Sequence, residues 1–433
     1  MRTEDSLHAP FFTIAIPTRN RPRFARASAA RILAQDFVDF ELIILDNSDE
    51  RNLTTDEFRD ARCTVIPTAT VLSMRENWER TLDAARGGFV MLLSDKDMLL
   101  PGSLTRLAAA IREVNADIVN YRKAGFALDG PFQTFIQCCS GRLVEGDGAT
   151  VLNAWFNDVA HFHDAPMMYN SVVRREVLMD LRSTGGQFFA GTSPDVGSGI
   201  VLMARLRRYH VLDRPLVVSW YGEWSIGMAS SLGARGAAAA FFSEYRNDPI
   251  RAAGLIPGIP GSVAETLLDC MARFPGLLHA YRPNWRSYVR NVLEELKSRD
   301  LAGIDTRAER EYLQNARGKK YSWLAVKLGS LHFELNSGRI VSRIRARVER
   351  ERQHRERSSS SLQGRPSSTG DLTSGPLQEY LQRVPHDADA FRDLPYFSLP
   401  WAKTVEEVER FASDINNSLD ASLPSSERRD DAA

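Results

Sequence analysis

Two carboxylates one residue apart, in Asp95-Lys96-Asp97, follow directly on the apolar run Phe89-Val-Met-Leu-Leu93. On an extended backbone, side chains at i and i+2 point to the same side. Such a pair can hold a divalent cation against a diphosphate, because Mg²⁺ and Mn²⁺ prefer oxygen ligands and keep part of their water. D-x-D is also the pattern of a solvated turn after a buried strand. A further acidic candidate, Asp195, stands behind Ser193 and Pro194. Serine is a good N-cap and proline a good first helical residue, so Asp195 is expected in the first turn of a helix. There the unpaired N–H groups and the helix dipole favour the ionised carboxylate, the form that can take a proton from a hydroxyl. A plain helix start has the same pattern. His161-Phe162-His163-Asp164 would set two imidazoles on one side of a strand, but no third convergent ligand is evident. The sequence shows no phosphate-binding loop, nucleophile elbow or dinucleotide fingerprint.

The elements that must position these residues alternate. Phe12–Ile16 reads as a strand, then Arg21–Gln35 as a helix, with Asn20 as its N-cap and Pro22 just inside. Glu41–Leu45 and Cys63–Ile66 read as strands, Glu76–Ala85 as a helix, and Phe89–Leu93 as a fourth strand. Ser103–Val114 reads as a helix capped by Ser103, and Asp117–Tyr121 as a fifth strand. Strand and helix at this spacing argue for a mainly parallel α/β sheet covered on both faces. In such sheets ligands bind beyond the carboxyl ends of the strands, where strand order reverses. The polar clusters 17–20, 46–49 and 95–97 fall at those ends. Later segments predict a strand over Met167–Val173, a helix over Arg175–Leu181, a helix from Pro194 and a strand over Val211–Trp220. Val263–Arg273, Asn284–Ser298, Arg307–Gln314 and Val405–Asn417 read as helices, the last with a Thr404/Glu407 capping box.

Composition narrows the classes. The 433 residues are 43% hydrophobic and 25% charged, the mix of a soluble globular protein. Lys+Arg and Asp+Glu number 55 each, so no global basic field exists to hold nucleic acid, and an anionic ligand needs a local site. Four scattered cysteines form neither a disulfide framework nor a zinc ribbon, which points to a reducing compartment. The polar, acidic start MRTEDSLHAP argues against a secretory signal, and no run approaches the ~18 apolar residues of a membrane span.

Four stretches in order resemble the family 2 glycosyltransferases with the GT-A fold. They are Ile14-Ala-Ile-Pro-Thr-Arg-Asn20; Gln35-Asp-Phe37 with Phe40-Glu-Leu-Ile-Ile-Leu-Asp-Asn47; Met74–Asn77 with Ala85–Pro101; and Tyr169-Asn-Ser171 with Ser193-Pro-Asp-Val196. The resemblance covers residues 10–230 and implies a Rossmann-like, mainly parallel sheet flanked by helices. It further implies transfer of a sugar from a nucleotide-sugar donor to a saccharide or other hydroxyl acceptor, as in polysaccharide biosynthesis, with a divalent cation (Mg²⁺ or Mn²⁺). Carried over by position, Pro17, Thr18, Arg19, Asn20, Asp46, Asn77 and Asp95 would bind the nucleotide sugar, Asp97 with Asp95 the metal, and Asp195 would be the catalytic base. Direct displacement by a deprotonated acceptor implies inversion at the anomeric carbon. Relatives usually have three acidic residues where this chain has Asp95-Lys96-Asp97, so Lys96 adds positive charge that could meet phosphate or face water. Tyr169, Trp220, Tyr221 and Trp224 would suit a wall for an acceptor sugar, and equally a core.

The expected organisation is a GT-A domain over residues 1–235, a helical extension over 236–357, a flexible linker over 358–378 and a tail over 379–433 with one short helix. Eight arginines against three glutamates lie between Arg339 and Arg357, which admits a weak peripheral contact with an anionic membrane or a plain surface helix. The expected location is cytoplasmic, at most peripheral at the inner face of the membrane. Two alternatives stay open: a catalytically silent binding or scaffold module of the same fold, and a nucleotidyltransferase.

Overall fold

The computed structural model describes residues 9–127, 134–137, 139–157, 165–221, 249–301, 303–315, 321–322, 324–331, 378–379, 396–398 and 405–422. Four strands, β1 (Phe12–Thr18), β2 (Phe40–Asp46), β3 (Cys63–Pro67) and β4 (Phe89–Leu92), run parallel in the order β3-β2-β1-β4. Their near-continuous apolar composition is what burial on both faces demands. On one face Phe12, Ile14, Ile16 and Met91 pack with helices α1 (Pro22–Leu33) and, further along the chain, α3 (Ser103–Val114). On the other face Val90 and Leu92 pack with Leu82 of α2 (Met74–Ala84) and with later elements.

The rest of the sheet is built differently. Strand β5 (Asp97–Leu99) runs antiparallel to β10 (Arg208–Tyr221), which also pairs parallel with β6 (Ile118–Ala127) and antiparallel with β8 (Leu143–Asp147). β9 (Ser171–Arg174) lies antiparallel between β4 and β6. β7 (Phe135–Gln137) and β11 (Tyr396–Ser398) complete a sheet of eleven strands among the described residues. Parallel pairing therefore governs the first half of the sheet and antiparallel pairing most of the second.

Several local expectations are corrected. Asn20 is not the N-cap of α1: it adopts φ 57°, which asparagine tolerates, and its side chain turns to Asp49, leaving Arg21 at the cap. α1 ends at Leu33, not Gln35. Ser103 is the first helical residue of α3, its hydroxyl donating to the Leu216 carbonyl (3.0 Å), and Gly102 at φ 71° occupies the cap. α2 starts two residues earlier than expected, because Ser73 and Glu76 form a capping box. The strand expected from Met167 opens as a 3₁₀ turn over Met168–Asn170. The Asn170 side chain takes the Met167 N–H (2.7 Å) and donates to the Ala165 carbonyl (3.1 Å), competing with ladder bonds.

Beyond the first half lie α4 (Gly148–Asn157), α5 (Arg175–Gly185) and α6 (Pro194–Arg205). Helices Ile259–Arg273, Trp285–Leu301 and Arg307–Gln314 follow. Val263, Leu267 and Cys270 share the largest core with Val196, Ile200 and Val201 of α6, so the Ile259–Arg273 helix packs in one core with α6 and the sheet. The tail helix runs Val405–Ser422, five residues past its expected end. It buries Val408, Phe411, Ala412, Ile415 and Leu419 against Met98, Leu100, Ala124, Phe126, Ile136 and Val218. Arg31–Glu409 (2.7 Å), Arg106–Asp420 (2.7 Å) and Arg214–Asp420 (2.6 Å) rim that contact. Cys63, Cys139 and Cys270 are buried free thiols. No helix among the described residues is long and apolar enough to cross a membrane. Residues 161–164, Trp224, residues 332–357, the linker up to residue 377 and Thr404 lie outside the described residues.

Candidate active site

Strand order reverses between β1 and β4, the point at which sheets of this kind leave a crevice for a ligand beyond the strands' carboxyl ends. One hydrogen bond spans it: Thr18, the last residue of β1, donates its hydroxyl to Asp95 Oδ2 (2.8 Å) in the turn after β4. Arg21 reaches Asp95 Oδ1 from the start of α1 (3.2 Å). Asp95 is buried; that burial raises its carboxyl above the ordinary range, with Arg21 and Thr18 opposing.

The neighbouring strand end forms the side of the crevice. Asp46 pairs in register with Thr18 and accepts the Ser48 N–H (3.0 Å). Asn20 is clasped to the 46–49 turn: its N–H donates to Ser48 Oγ (2.8 Å), its amide to Asp49 (2.7 Å), and Asp49 N–H returns to Asn20 Oδ1 (3.0 Å). Arg19 lies 3.5 Å from Asp49, and half-buried Pro17 sits in β1 opposite Leu45. These residues thus line one continuous rim. Asn77 sits deeper: its amide donates to the Leu45 carbonyl (3.2 Å) and accepts from Arg80 (3.0 Å), which braces α2 on β2.

Asp97 opens β5 opposite Ser219, so it belongs to a strand rather than to a loop. Its side chain has no exposed surface. The Ser219 hydroxyl donates to Oδ1, while Oδ2 takes the Lys123 ammonium (2.6 Å) and the Ser94 N–H (3.1 Å). Ser28 of α1 donates to the Asp97 carbonyl (2.7 Å). Lys123 comes from β6, and its Nζ lies over the Tyr169 ring, 4.6 Å from the centroid. Lys96 Nζ lies over the Tyr221 ring at 4.5 Å. Burial lowers both ammonium groups, Lys96 to about 8. Tyr169 and Tyr221 are therefore platforms for cations, and Trp220 packs edge-on against Phe24 (5.5 Å).

Asp195 stands in the first turn of α6, as expected, and is half-buried. Burial raises its carboxyl, opposed by the N–H of Val196, its own N–H, and the Lys123 and Lys96 ammonium groups. Ser193 holds the cap position without capping, because its hydroxyl pairs with Ser262 (2.7 Å). The Ile259–Arg273 helix grips the segment before Asp195. Gly191 N–H donates to Asp269 (2.8 Å), Thr192 N–H to Glu265 (2.8 Å) and Ser193 N–H to Thr266 Oγ1 (3.1 Å).

Residues 13–174 match the family model of glycosyl transferase family 2. Over that stretch the chain is similar to a family 2 glycosyltransferase domain. Its sheet flanked by helices, parallel in the first half, agrees with the Rossmann-like arrangement that the sequence resemblance implies. Among solved structures, Staphylococcus aureus TarS is 16% identical with a TM-score of 0.41, over 71% of this chain and 53% of that one, so the match spans about half of that protein. TarS 1–349 with UDP-GlcNAc is 15% identical, TM-score 0.43, over 76% and 92%. The mannosyltransferase PcManGT from Pyrobaculum calidifontis with GDP-Man and Mn²⁺ is 17% identical, TM-score 0.36, over 76% and 81%. No curated protein sequence matches.

Sequence reasoning missed Lys123, Arg21 and Ser219. The sequence predicts a fifth strand ending at Tyr121, but β6 runs on to Ala127, so Lys123 lies beyond the expected strand and carries no signal of burial. Arg122 beside it lies in the same part of the strand and pairs through Nε with Asp213 (2.9 Å), so a charge at this place does not by itself mark the site.

Proposed function

We propose that this glycosyltransferase moves a sugar from a nucleoside-diphosphate donor to a hydroxyl of a saccharide or similar acceptor, with inversion at the anomeric carbon. The observation that supports this reading is the Lys123 ammonium, which bonds Asp97 (2.6 Å) and lies over the Tyr169 ring, with Asp195 in the first turn of α6 close enough for its charge to act on both Lys123 and Tyr169. In this reading a group able to accept a proton faces the place where a diphosphate leaves.

In this reading Pro17, Thr18, Arg19, Asn20 and Asp46 hold the nucleoside, with Asp95 at the ribose or the diphosphate, and Asn77 supports β2 from behind. Asp97 with Asp95 would hold a divalent cation. Among the described residues no group of three or more His, Cys, Asp and Glu forms a metal cage. Two carboxylates still fit, since Mg²⁺ and Mn²⁺ keep waters and take substrate phosphate oxygens. The pairing of Asp97 with the Lys123 ammonium (2.6 Å) supports a carboxylate placed to meet positive charge. A bound divalent ion would supply positive charge to a leaving diphosphate. Arg21 and Lys96 add fixed positive charge to the same pocket, preorganised for charge that grows as the glycosidic bond breaks. Asp195 removes the proton of the acceptor hydroxyl as it attacks the anomeric carbon; the nucleoside diphosphate departs on the opposite side.

A panel of nucleotide sugars with Mn²⁺ tests the reading by release of free nucleoside diphosphate. Release by the wild type, lost in Asp97→Ala with the fold intact by circular dichroism, is the expected result. Undiminished release by Asp97→Ala overturns it.

A further inference from the structure

Asp97 is the innermost charge of the site, and its carboxylate is filled on both oxygens by this chain's own donors: Ser219 on one, Lys123 and Ser94 on the other. A buried carboxylate without a partner is costly, so some cation must cover it before any ligand arrives. Lys123 does so with only 11% of its side chain exposed, its ammonium seated on the Tyr169 ring. An ammonium and a divalent ion in contact with the same carboxylate repel strongly in such a poorly solvated place. Binding the ion at Asp97 therefore means displacing Lys123. Asp195 is the other carboxylate whose charge acts on Lys123. A diphosphate entering the crevice offers new anionic oxygens within the same pocket.

We propose that Lys123 is a built-in counter-cation that competes with the divalent ion for Asp97 and yields it when a nucleoside diphosphate takes over its ammonium. This rests on the reading of Asp97 as the cation-holding carboxylate. Ion and nucleotide then bind cooperatively, each strengthening the other by the same factor. The protein without nucleotide holds the ion weakly and keeps its acidic turn neutralised.

Titration of the full chain with MnCl₂ alone, followed by the loss of the free-ion electron paramagnetic resonance signal, tests the competition. Lys123→Met keeps the stem without the charge and should bind Mn²⁺ roughly tenfold more tightly than wild type, a size usual for coupled sites. Lys123→Arg keeps a cation there and should stay near wild type. A Met variant that binds Mn²⁺ no more tightly than a wild type that does bind it overturns the competition and leaves the Asp97 reading standing. Absence of Mn²⁺ binding in every variant, with or without UDP or GDP, overturns that reading as well. Should Lys123→Met fail to fold, a wild-type crystal soaked in MnCl₂ and UDP decides. Lys123 Nζ out of hydrogen-bonding reach of Asp97 supports the proposal, and Lys123 still bonded to Asp97 beside a bound ion overturns it.

Discussion

Asp195→Asn removes one charge and almost no volume. Asparagine can still accept the backbone N–H groups that the carboxylate holds at the start of α6. A positioned general base contributes about 10²–10⁴ in rate, or about 3–5 kcal/mol at ~1.4 kcal/mol per decade. The kcat for transfer should fall by that factor while donor affinity stays put, since the donor-side residues are untouched. The pH profile carries a second check. The groups acting on this carboxyl are Lys123 and Lys96, with Tyr169 beside it, and burial dominates by raising its pKa. Activity should therefore decline, as pH falls, above the range of an ordinary carboxylate, and that limb should vanish in Asp195→Asn. The stability sign follows from linkage. An acid whose folded pKa is raised is ionised more readily in the unfolded chain, so stability is lost as pH rises from the unfolded towards the folded value. At neutral pH the substitution removes that cost, and Tm should stay equal or rise. Initial rates with a donor from the panel, calorimetric donor binding and thermal denaturation give the three readouts. A variant retaining more than about a tenth of wild-type kcat, far above what loss of a general base leaves, refutes the assignment. A drop in Tm together with lost donor binding marks a structural role instead.

Two other perturbations probe the supports of the site. Phe411→Ala empties a fully buried position of the tail helix, where Met98 and Val218 adjoin Asp97 and Ser219. It should cost about 3–5 kcal/mol in that contact and lower kcat with Tm; full activity at reduced Tm would show the tail helix to be a passenger. Thr266→Val deletes the hydroxyl that receives the Ser193 N–H, leaving a donor unmet at a cost of about 1–3 kcal/mol. Because that bond holds the segment before Asp195, kcat should fall with donor affinity unchanged, and a loss confined to donor binding would contradict this placement.

The parallel half of the fold was legible in the sequence. Unbroken apolar runs such as Phe12–Ile16 and Phe89–Leu93, each followed by a polar cluster, specify buried strands and put Thr18, Asp46 and Asp95 at their carboxyl ends. Ser193-Pro194 marked the helix that presents Asp195, although the serine proved to bond elsewhere. These features depend on neighbours a few residues apart, and local patterns record such forces. The partners of the acidic turn do not. Lys123 meets Asp97 across 26 residues and Ser219 meets it across 122, and each pairing exists because β10 lies in register with β5 on one side and β6 on the other. Likewise the tail helix announced its own amphipathic pattern but not the face it covers. Helix and strand formation answer to local propensity and periodicity, whereas the partner of a buried charge is chosen by sheet register. Only the folded sheet could decide that Asp97 is held by a lysine from another strand.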